Sequence, residues 1–241
     1  MSLKRSDDSF EGQPVIRFSH EHSRGMMVWF HGGGWMIPLG DDALLWGEDL
    51  AKATGYDVVL PDYPLARDYA YPLCDQWCCS FWKHLADEAR MKKQSLILGG
   101  DSAGAHLALA TLSVALPAKA VFIYAVTTLL PQRETGSWAN YQKKWPLSPR
   151  LMDYFCDAYC PDHALRLQAS PLETLTALPP TLLITATNDI LADQQEAFAK
   201  KFHATQLRYE GATHIFLSRP EGAEYRTRAL RDITDWLIPT V

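Results

Sequence analysis

Hydrophobic positions along the chain follow two alternating patterns. Short apolar runs, typical of strands buried on both faces of a sheet, alternate with longer stretches in which apolar residues recur at helical spacing. The predicted strands are 14–19, 26–31, 56–60, 95–99, 119–125, 181–187 and 206–210. The predicted helices are 43–54, 74–90, 105–115, 191–202 and 221–237. Such alternation predicts an α/β fold in which a mostly parallel central sheet carries helices on both faces.

Two regions depart from this alternation. Only the polar turn 20–25 separates the first two predicted strands, so we expect a hairpin that adds an antiparallel strand near one edge of the sheet. Residues 127–168 are longer than a connection between strands requires, which makes them a candidate lid or cap insertion. Aromatic side chains in it either wall an acyl or aryl pocket or pack as a satellite core, and both readings stay open. They are Trp138, Tyr141, Trp145, Tyr154, Phe155 and Tyr159.

Composition narrows the classes of protein to consider. A chain of 241 residues with 47% hydrophobic content is suited to one domain spanning 1–241. The net charge of −5, without a basic cluster, argues against nucleic-acid binding and favours a small-molecule partner. The polar start at 4–11 lacks the apolar core of a signal peptide, and no segment has the length of a membrane span. We therefore expect a cytoplasmic protein that does not bind membranes.

Five cysteines, an odd number, suit a reducing compartment better than a disulfide framework. Cys74 and Cys78 share i,i+4 spacing on a predicted helix, as do Cys156 and Cys160, so a four-thiolate zinc site would form only if the two helices met. Buried core thiols are the favoured interpretation, because free cysteine is among the most buried residue types. We expect neither a metal nor a cofactor.

The segment Gly100-Asp101-Ser102-Ala103-Gly104 lies between a predicted strand and a predicted helix. This is the context of a nucleophile elbow, a sharp turn that leaves the serine hydroxyl exposed. Glycines two residues on either side of the serine avoid collisions between the strand and helix backbones. Ser102 is therefore the candidate nucleophile, and the side chain of Asp101 is expected to point away from it in a structural role.

A second motif, His31-Gly32-Gly33-Gly34-Trp35, directly follows the predicted strand 26–31. Three consecutive glycines carry a large cost in backbone entropy. A flexible turn is one interpretation; the favoured one is a loop whose N–H groups point at an oxyanion that develops in a transition state. A glycine-rich loop after an early strand, followed by an elbow, is typical of hydrolases.

A serine nucleophile needs a histidine base and a carboxylate that orients the histidine. In this type of fold the chain order is serine, acid, histidine. Asp189 directly follows the predicted strand 181–187, and His214 follows 206–210 within a short loop, so both lie at the carboxyl ends of strands where ligands bind. Asp193, four residues after Asp189, is the competing acid. We expect it to lie one turn into the next helix and to support the loop that contains Asp189.

Together these segments resemble the hormone-sensitive-lipase-like family of α/β-hydrolase esterases. The resemblance implies that Ser102 is the nucleophile, His214 the general base and acid, and Asp189 the residue that orients it. It implies an oxyanion hole formed by the amides of Gly33, Gly34 and Ala103. The amide of Gly32 is the alternative donor to that of one of the two glycines. The motifs that carry it are 31–34, Asp62-Tyr63-Pro64-Leu65-Ala66, 100–104, Asp189-Ile190-Leu191-Ala192-Asp193 and His214-Ile215-Phe216.

The chain also departs from this family. Family members usually have Tyr-Arg-Leu-Ala-Pro-Glu where this chain has Tyr63-Pro64-Leu65-Ala66-Arg67-Asp68, and only 30 residues precede the glycine loop, so we expect a reduced cap. The function implied is a carboxylesterase that cleaves small, soluble, short-acyl esters through an acyl-enzyme. An arylformamidase using the same triad is the alternative. A receptor-like binding module is disfavoured by the presence of His214.

Overall fold

Eight strands form one sheet in the computed structural model, which describes residues 3–130, 136–141, 143 and 146–238. The spatial order is β1-β2-β4-β3-β5-β6-β7-β8. All neighbouring strands from β4 to β8 run parallel, while β1 and β2 lie antiparallel at one edge. The strands are β1 Leu3–Phe10, β2 Gln13–His20, β3 Gly25–Phe30, β4 Asp57–Pro61, β5 Ser95–Asp101, β6 Lys119–Ile123, β7 Thr181–Asn188 and β8 Thr205–Thr213.

Helices cover both faces of the sheet. Helices α1 and α8 pack on one face, where Trp46 and Ile233 join the buried core. Helices α2, α3 and α7 pack on the other face, together with much of the long segment between β6 and β7. The helices are α1 Asp41–Thr54, α2 Leu73–Met91, α3 Ser102–Thr111, α4 Gly136–Tyr141, α5 Pro149–Tyr159, α6 Pro171–Thr174, α7 Ala192–Phe202 and α8 Ala223–Leu237. The predicted fold class, an α/β-hydrolase architecture with a mostly parallel sheet, is confirmed.

The predicted hairpin across residues 20–25 is wrong. Strand β2 pairs with β1 and β4, whereas β3 lies between β4 and β5. All six residues of β3 are buried, so this strand needs a parallel partner on each side, and the crossover through α1 supplies β4. The hairpin that does form joins β1 to β2. Strand β1 was not predicted because its sequence, LKRSDDSF, is charged and almost entirely exposed, with no apolar alternation to reveal it.

The long insertion at 127–168 contributes to the core as well as to the surface. Trp138 and Tyr159 are buried, and Tyr141 packs against the same cluster, so part of the aromatic set is a packed core. Tyr154 is 58% exposed. Trp145 lies outside the described residues. Of the insertion's aromatic side chains within the described residues, only Phe155 lines the cavity at Ser102, so each of the two interpretations holds for part of the set.

All five cysteines are free thiols. The four considered as zinc ligands lie buried in the core on α2 and at the end of α5, as the interpretation of buried thiols predicted. Within the described residues, no group of three or more histidine, cysteine or acidic side chains is arranged to hold a metal ion. Nor does the described part of the chain contain a helix long and apolar enough to cross a bilayer.

Candidate functional site

The turn between β5 and α3 places Ser102 at the carboxyl edge of the sheet. Strand β5 ends at Asp101 and α3 begins at Ser102. The backbone φ of Ser102 is +51°, a value that residues other than glycine rarely adopt. A Cβ on Gly104 would collide with the carbonyl oxygens of Phe30 and His31. Glycine at that position therefore lets the helix start directly beside β3. This is the strained turn that the motif predicted.

Three side chains from separate strand ends form a chain of hydrogen bonds at this edge. The Ser102 Oγ and His214 Nε2 atoms are 2.8 Å apart, and the His214 Nδ1 and Asp189 Oδ2 atoms are 2.6 Å apart. A carboxylate only accepts, so Nδ1 carries the proton and Nε2 is left to accept from the serine hydroxyl. The second oxygen of Asp189 accepts from the backbone N–H of Leu191 at 3.0 Å. All three side chains are buried.

Asp193 lies away from His214 and has a different task. Its carboxylate accepts from the backbone N–H of Ser137 at 2.7 Å, and its own N–H donates to the hydroxyl of Ser137 at 3.1 Å. That hydroxyl also donates to the carbonyl of Ile190 at 2.8 Å. Asp193 thus connects the start of α4, in the insertion, to the loop that contains Asp189. Of the two candidate acids, the structure brings Asp189 to the histidine.

The glycine loop curves around Ser102 in a backbone conformation that requires glycine. Gly33 and Gly34 have φ of +132° and +59°, and a Cβ on Gly34 would approach the Phe155 ring to 2.6 Å. Within the described part of the chain, the backbone N–H groups of these two glycines have no acceptor. Such groups at a strand end are suited to bind an oxyanion. The third predicted donor, Ala103, lies at the start of α3 beside the serine.

The segment 62–68, whose residues 63–68 differ from the pattern usual in the family that the chain resembles, holds this loop in place. The hydroxyl of Tyr63 donates to the carbonyl of His31 at 2.7 Å, and the N–H of Ala66 donates to the carbonyl of Trp35 at 2.8 Å. The Tyr63 and His31 rings stack with their centroids 4.3 Å apart. Burial lowers the pKa of His31 to about 4, so its imidazole is neutral near pH 7.

Asp101 points away from Ser102 and into the protein, as expected. Its carboxylate accepts from the indole N–H of Trp29 at 3.0 Å and from the hydroxyl of Tyr124 at 3.4 Å. Burial raises the pKa of Asp101 to about 6 in spite of these bonds and a further one from the Gly32 amide. Tyr124 also lies against His214, with ring centroids 4.8 Å apart. Its role was missed because it follows β6 outside any motif.

A cavity of about 160 Å³ opens beside Ser102 and His214. The glycine loop forms one side of it. We call the opposite side, contributed by the insertion, the cavity wall; it consists of Pro146, Leu147, Leu151, Met152 and Phe155. Because these residues are apolar, the cavity favours a small apolar group next to the serine hydroxyl.

The chain is similar in sequence to a known family and to proteins named as ester hydrolases. A family model described as alpha/beta hydrolase fold matches residues 27–218. An esterase from Gibberella moniliformis is 28% identical over 212 residues, covering 79% of this chain and 66% of the relative. The carboxylic ester hydrolase LipN from Mycobacterium tuberculosis is 30% identical over 221 residues, covering 80% of this chain and 57% of the relative. The chain thus spans about two thirds or less of the length of these relatives.

Solved structures of esterases share the fold over nearly the whole chain. A fungal esterase structure from Rhizomucor miehei superposes with a TM-score of 0.84 at 26% identity, covering 98% of this chain and 81% of that one. Carboxyl esterase 2 from Tuber melanosporum superposes with a TM-score of 0.85 at 21% identity, covering 97% and 87%, which supports the fold alone. These names do not favour the arylformamidase alternative.

Proposed function

Because the chain belongs to the alpha/beta hydrolase fold family, we propose that it is a carboxylic ester hydrolase acting through an acyl-enzyme. The observation that carries this proposal is the hydrogen-bonded chain of Ser102, His214 and Asp189, whose two links measure 2.8 and 2.6 Å. Relatives named as esterases support the same reaction class.

In the proposed acylation step, the Ser102 hydroxyl transfers its proton to His214 Nε2 as its Oγ forms a bond to the ester carbonyl carbon. The carbonyl π electrons move to the oxygen, which becomes an oxyanion. The C–O bond to the alcohol then breaks, and the departing alkoxide takes the proton from His214. Asp189 fixes the imidazole tautomer and stabilises the imidazolium that forms between these two proton transfers.

Deacylation repeats the sequence with water in place of the serine. Water gives a proton to His214 Nε2 and attacks the acyl carbon; collapse of the second tetrahedral intermediate returns that proton to Ser102 Oγ and releases the carboxylic acid. In both steps the amides of Gly33, Gly34 and Ala103 are the proposed donors to the oxyanion. They act on charge that appears only in the transition state.

The proposed substrates are small, soluble esters with a short acyl group. Support comes from the cavity of about 160 Å³ and its apolar wall. A methylene contributes about 0.8 kcal/mol only while there is apolar surface to cover it. In this proposal the insertion at 127–168 serves as a small lid that limits the acyl length. We expect kcat/KM for p-nitrophenyl esters to be greatest between acetate and butyrate and to fall steeply by octanoate.

The decisive test replaces Ser102 with alanine. We expect Ser102→Ala to fold normally and to lose at least about a thousandfold in kcat with p-nitrophenyl butyrate, because the covalent route disappears. Ser137→Ala, which removes a hydroxyl near Asp193 rather than His214, is the matched control and should retain most activity. Near-wild-type turnover by Ser102→Ala would refute the proposal. Negligible ester hydrolysis beside rapid N-formylkynurenine hydrolysis would reassign the substrate to a formamide.

A further inference from the structure

Tyr124 directly follows β6 and is fully buried, although its side chain carries a hydroxyl group. Its backbone φ is +35°, a value that residues other than glycine rarely adopt, and its N–H donates to the carbonyl of Ile184 at 2.8 Å. Tyr124 is not among the described residues that line the cavity at Ser102. A backbone conformation of this kind costs energy and persists only where the surrounding structure requires it. The contacts of the Tyr124 side chain give the reason.

The ring of Tyr124 packs against the segment that carries the proposed general base, His214-Ile215-Phe216-Leu217, which we call the histidine loop. The centroid of the Tyr124 ring lies 4.8 Å from that of His214 and 5.1 Å from that of Phe216. Ile215, between them, has a φ of +55°, which is strained for a β-branched residue. The loop therefore needs outside contacts to keep this conformation, and the Tyr124 ring supplies them to the residues before and after Ile215.

The hydroxyl of Tyr124 connects the histidine loop to the elbow. It donates to the Asp101 carboxylate at 3.4 Å and accepts from the backbone N–H of Leu217, the last residue of the loop. Asp101 directly precedes Ser102, so one side chain contacts both the segment that carries the nucleophile and the segment that carries the base. Asp101 and Leu217 are buried, and loss of the hydroxyl would leave the Leu217 amide without this acceptor.

Resting on the proposed esterase function, we infer that Tyr124 is a positioning residue, which holds the His214 imidazole in the place that proton transfer from Ser102 requires. Each proposed step moves a proton to or from His214 Nε2, which lies 2.8 Å from Ser102 Oγ. A misplacement of about 1 Å can lower a rate by about a hundredfold. Asp189 fixes the imidazole at its Nδ1 atom, whereas Tyr124 fixes the ring by packing and the backbone of the histidine loop by its hydroxyl.

Tyr124→Phe removes the hydroxyl and keeps the ring. With p-nitrophenyl acetate at pH 8 we expect kcat to fall about tenfold and KM to change by less than about twofold, because the cavity wall is untouched. Tyr209→Phe is the matched control. Tyr209 is also buried and also packs against Phe216, with ring centroids 5.7 Å apart, but its hydroxyl donates to Asp232 on α8 at 2.8 Å. This control should lose a similar amount of stability in urea unfolding and keep kcat within about twofold of the wild type.

Proton NMR of the His214 imidazole provides a readout that does not depend on turnover. The Nδ1–H in its 2.6 Å hydrogen bond to Asp189 should give a low-field signal that is absent from His214→Ala. In Tyr124→Phe this signal should shift and broaden through faster exchange with water, whereas in Tyr209→Phe it should match the wild type.

An unchanged low-field signal in Tyr124→Phe, or an equal fall of kcat in Tyr124→Phe and Tyr209→Phe, would overturn the assignment of Tyr124. A wild-type protein that hydrolyses no ester would instead refute the esterase proposal. In that case the NMR signal would still decide whether Tyr124 positions His214.

Discussion

The loops at the strand ends and the cavity wall that faces them are held by different forces. Backbone and side-chain hydrogen bonds fix the loops: Tyr63 binds the carbonyl of His31, and the Leu191 amide binds Asp189. In the wall, Met152 is buried in the apolar core, and the Phe155 ring lies against Gly34. Hydrogen bonds are directional, so they define positions to a few tenths of an ångström. Apolar contacts define a volume, and similar volumes can be filled by different side chains.

This difference separates the two parts of the proposed function. Proton transfer and oxyanion binding need fixed atoms, which the strand ends supply. Acyl-length selectivity needs only a surface of the right extent, which the wall supplies. Substitutions in the loops should therefore change kcat, whereas substitutions in the wall should change the ranking of substrates.

Replacement of the two neighbouring acids gives the largest expected effect. Asp189→Asn should lower kcat by roughly a hundredfold to ten thousandfold, because the amide cannot hold His214 in the required tautomer. Asp193→Asn should lower kcat by less than about tenfold, since the Asp193 carboxylate accepts a hydrogen bond from the backbone of Ser137 at the start of α4, whereas His214 is bonded to Asp189. Steady-state kinetics with p-nitrophenyl acetate, beside circular dichroism to show folding, measures both. A larger loss of kcat in Asp193→Asn than in Asp189→Asn would make Asp193 the acid that orients His214. The separate roles given to the strand-end loops and the insertion would then be wrong.

Sequence patterns predicted the strand-end features because chemistry there is local. The elbow requires a serine between glycines, and the glycine loop requires positive φ. Asp189 directly follows the buried strand β7, and His214 directly follows β8. Each of these requirements produces a recognisable sequence pattern within about five residues. The buried strands were equally predictable, since both of their faces are apolar.

Features that depend on contacts between distant parts of the chain have no such local sequence pattern. Strand β1 is mostly charged and pairs with β2, and of its side chains Phe10 packs against Trp77 and Phe81 on α2, so no apolar alternation along the strand reveals it. Tyr124 lies against His214 only because β6 ends beside the elbow. For the insertion, the sequence identified which side chains are aromatic but not which way they face. Phe155 reaches the cavity while its neighbour Tyr154 is exposed, and this depends on how α5 docks.

The cavity wall gives the second prediction. Phe155→Ala should deepen the cavity and raise the ratio of kcat/KM for octanoate to that for butyrate about tenfold or more, because additional methylenes gain apolar contact. Tyr154→Ala, which truncates the adjacent exposed ring, is the matched control and should leave the ratio unchanged. Phe155→Leu, a smaller truncation, should give an intermediate ratio and guards against loss of folding in the alanine variant.

A uniform fall in kcat for all chain lengths in Phe155→Ala would contradict this division of roles. It would mean that the ring supports the glycine loop at Gly34 rather than limiting the acyl chain. The p-nitrophenyl ester series from acetate to decanoate distinguishes the two results.

The smallest expected effect concerns a polar contact between the insertion and the body of the protein. Asp75 on α2 accepts a hydrogen bond from the hydroxyl of Tyr159 on α5 at 2.5 Å, and burial raises the pKa of Asp75 to about 7. An unfolded aspartate has a pKa of about 3.9, so the folded protein binds this proton more tightly and loses stability as pH rises from about 4 to about 7. Asp75→Asn, which stays neutral, should therefore be more stable than the wild type by about 2 kcal/mol at pH 8 and unchanged near pH 4.

Urea unfolding at pH 4, 6 and 8 tests this prediction, with Asp87→Asn on the exposed side of α2 as the control for charge. The stability gained by Asp75→Asn should grow between pH 4 and 7 and then remain constant, while Asp87→Asn should show no such trend. The asparagine oxygen can still accept from Tyr159, so the apolar docking of α5, including the stacking of Tyr159 on Trp35 at 4.5 Å, is retained. If Asp75→Asn were less stable than the wild type at every pH, the contact between the Asp75 carboxylate and Tyr159 would hold the insertion against α2. Apolar packing would then not be the main force that docks α5.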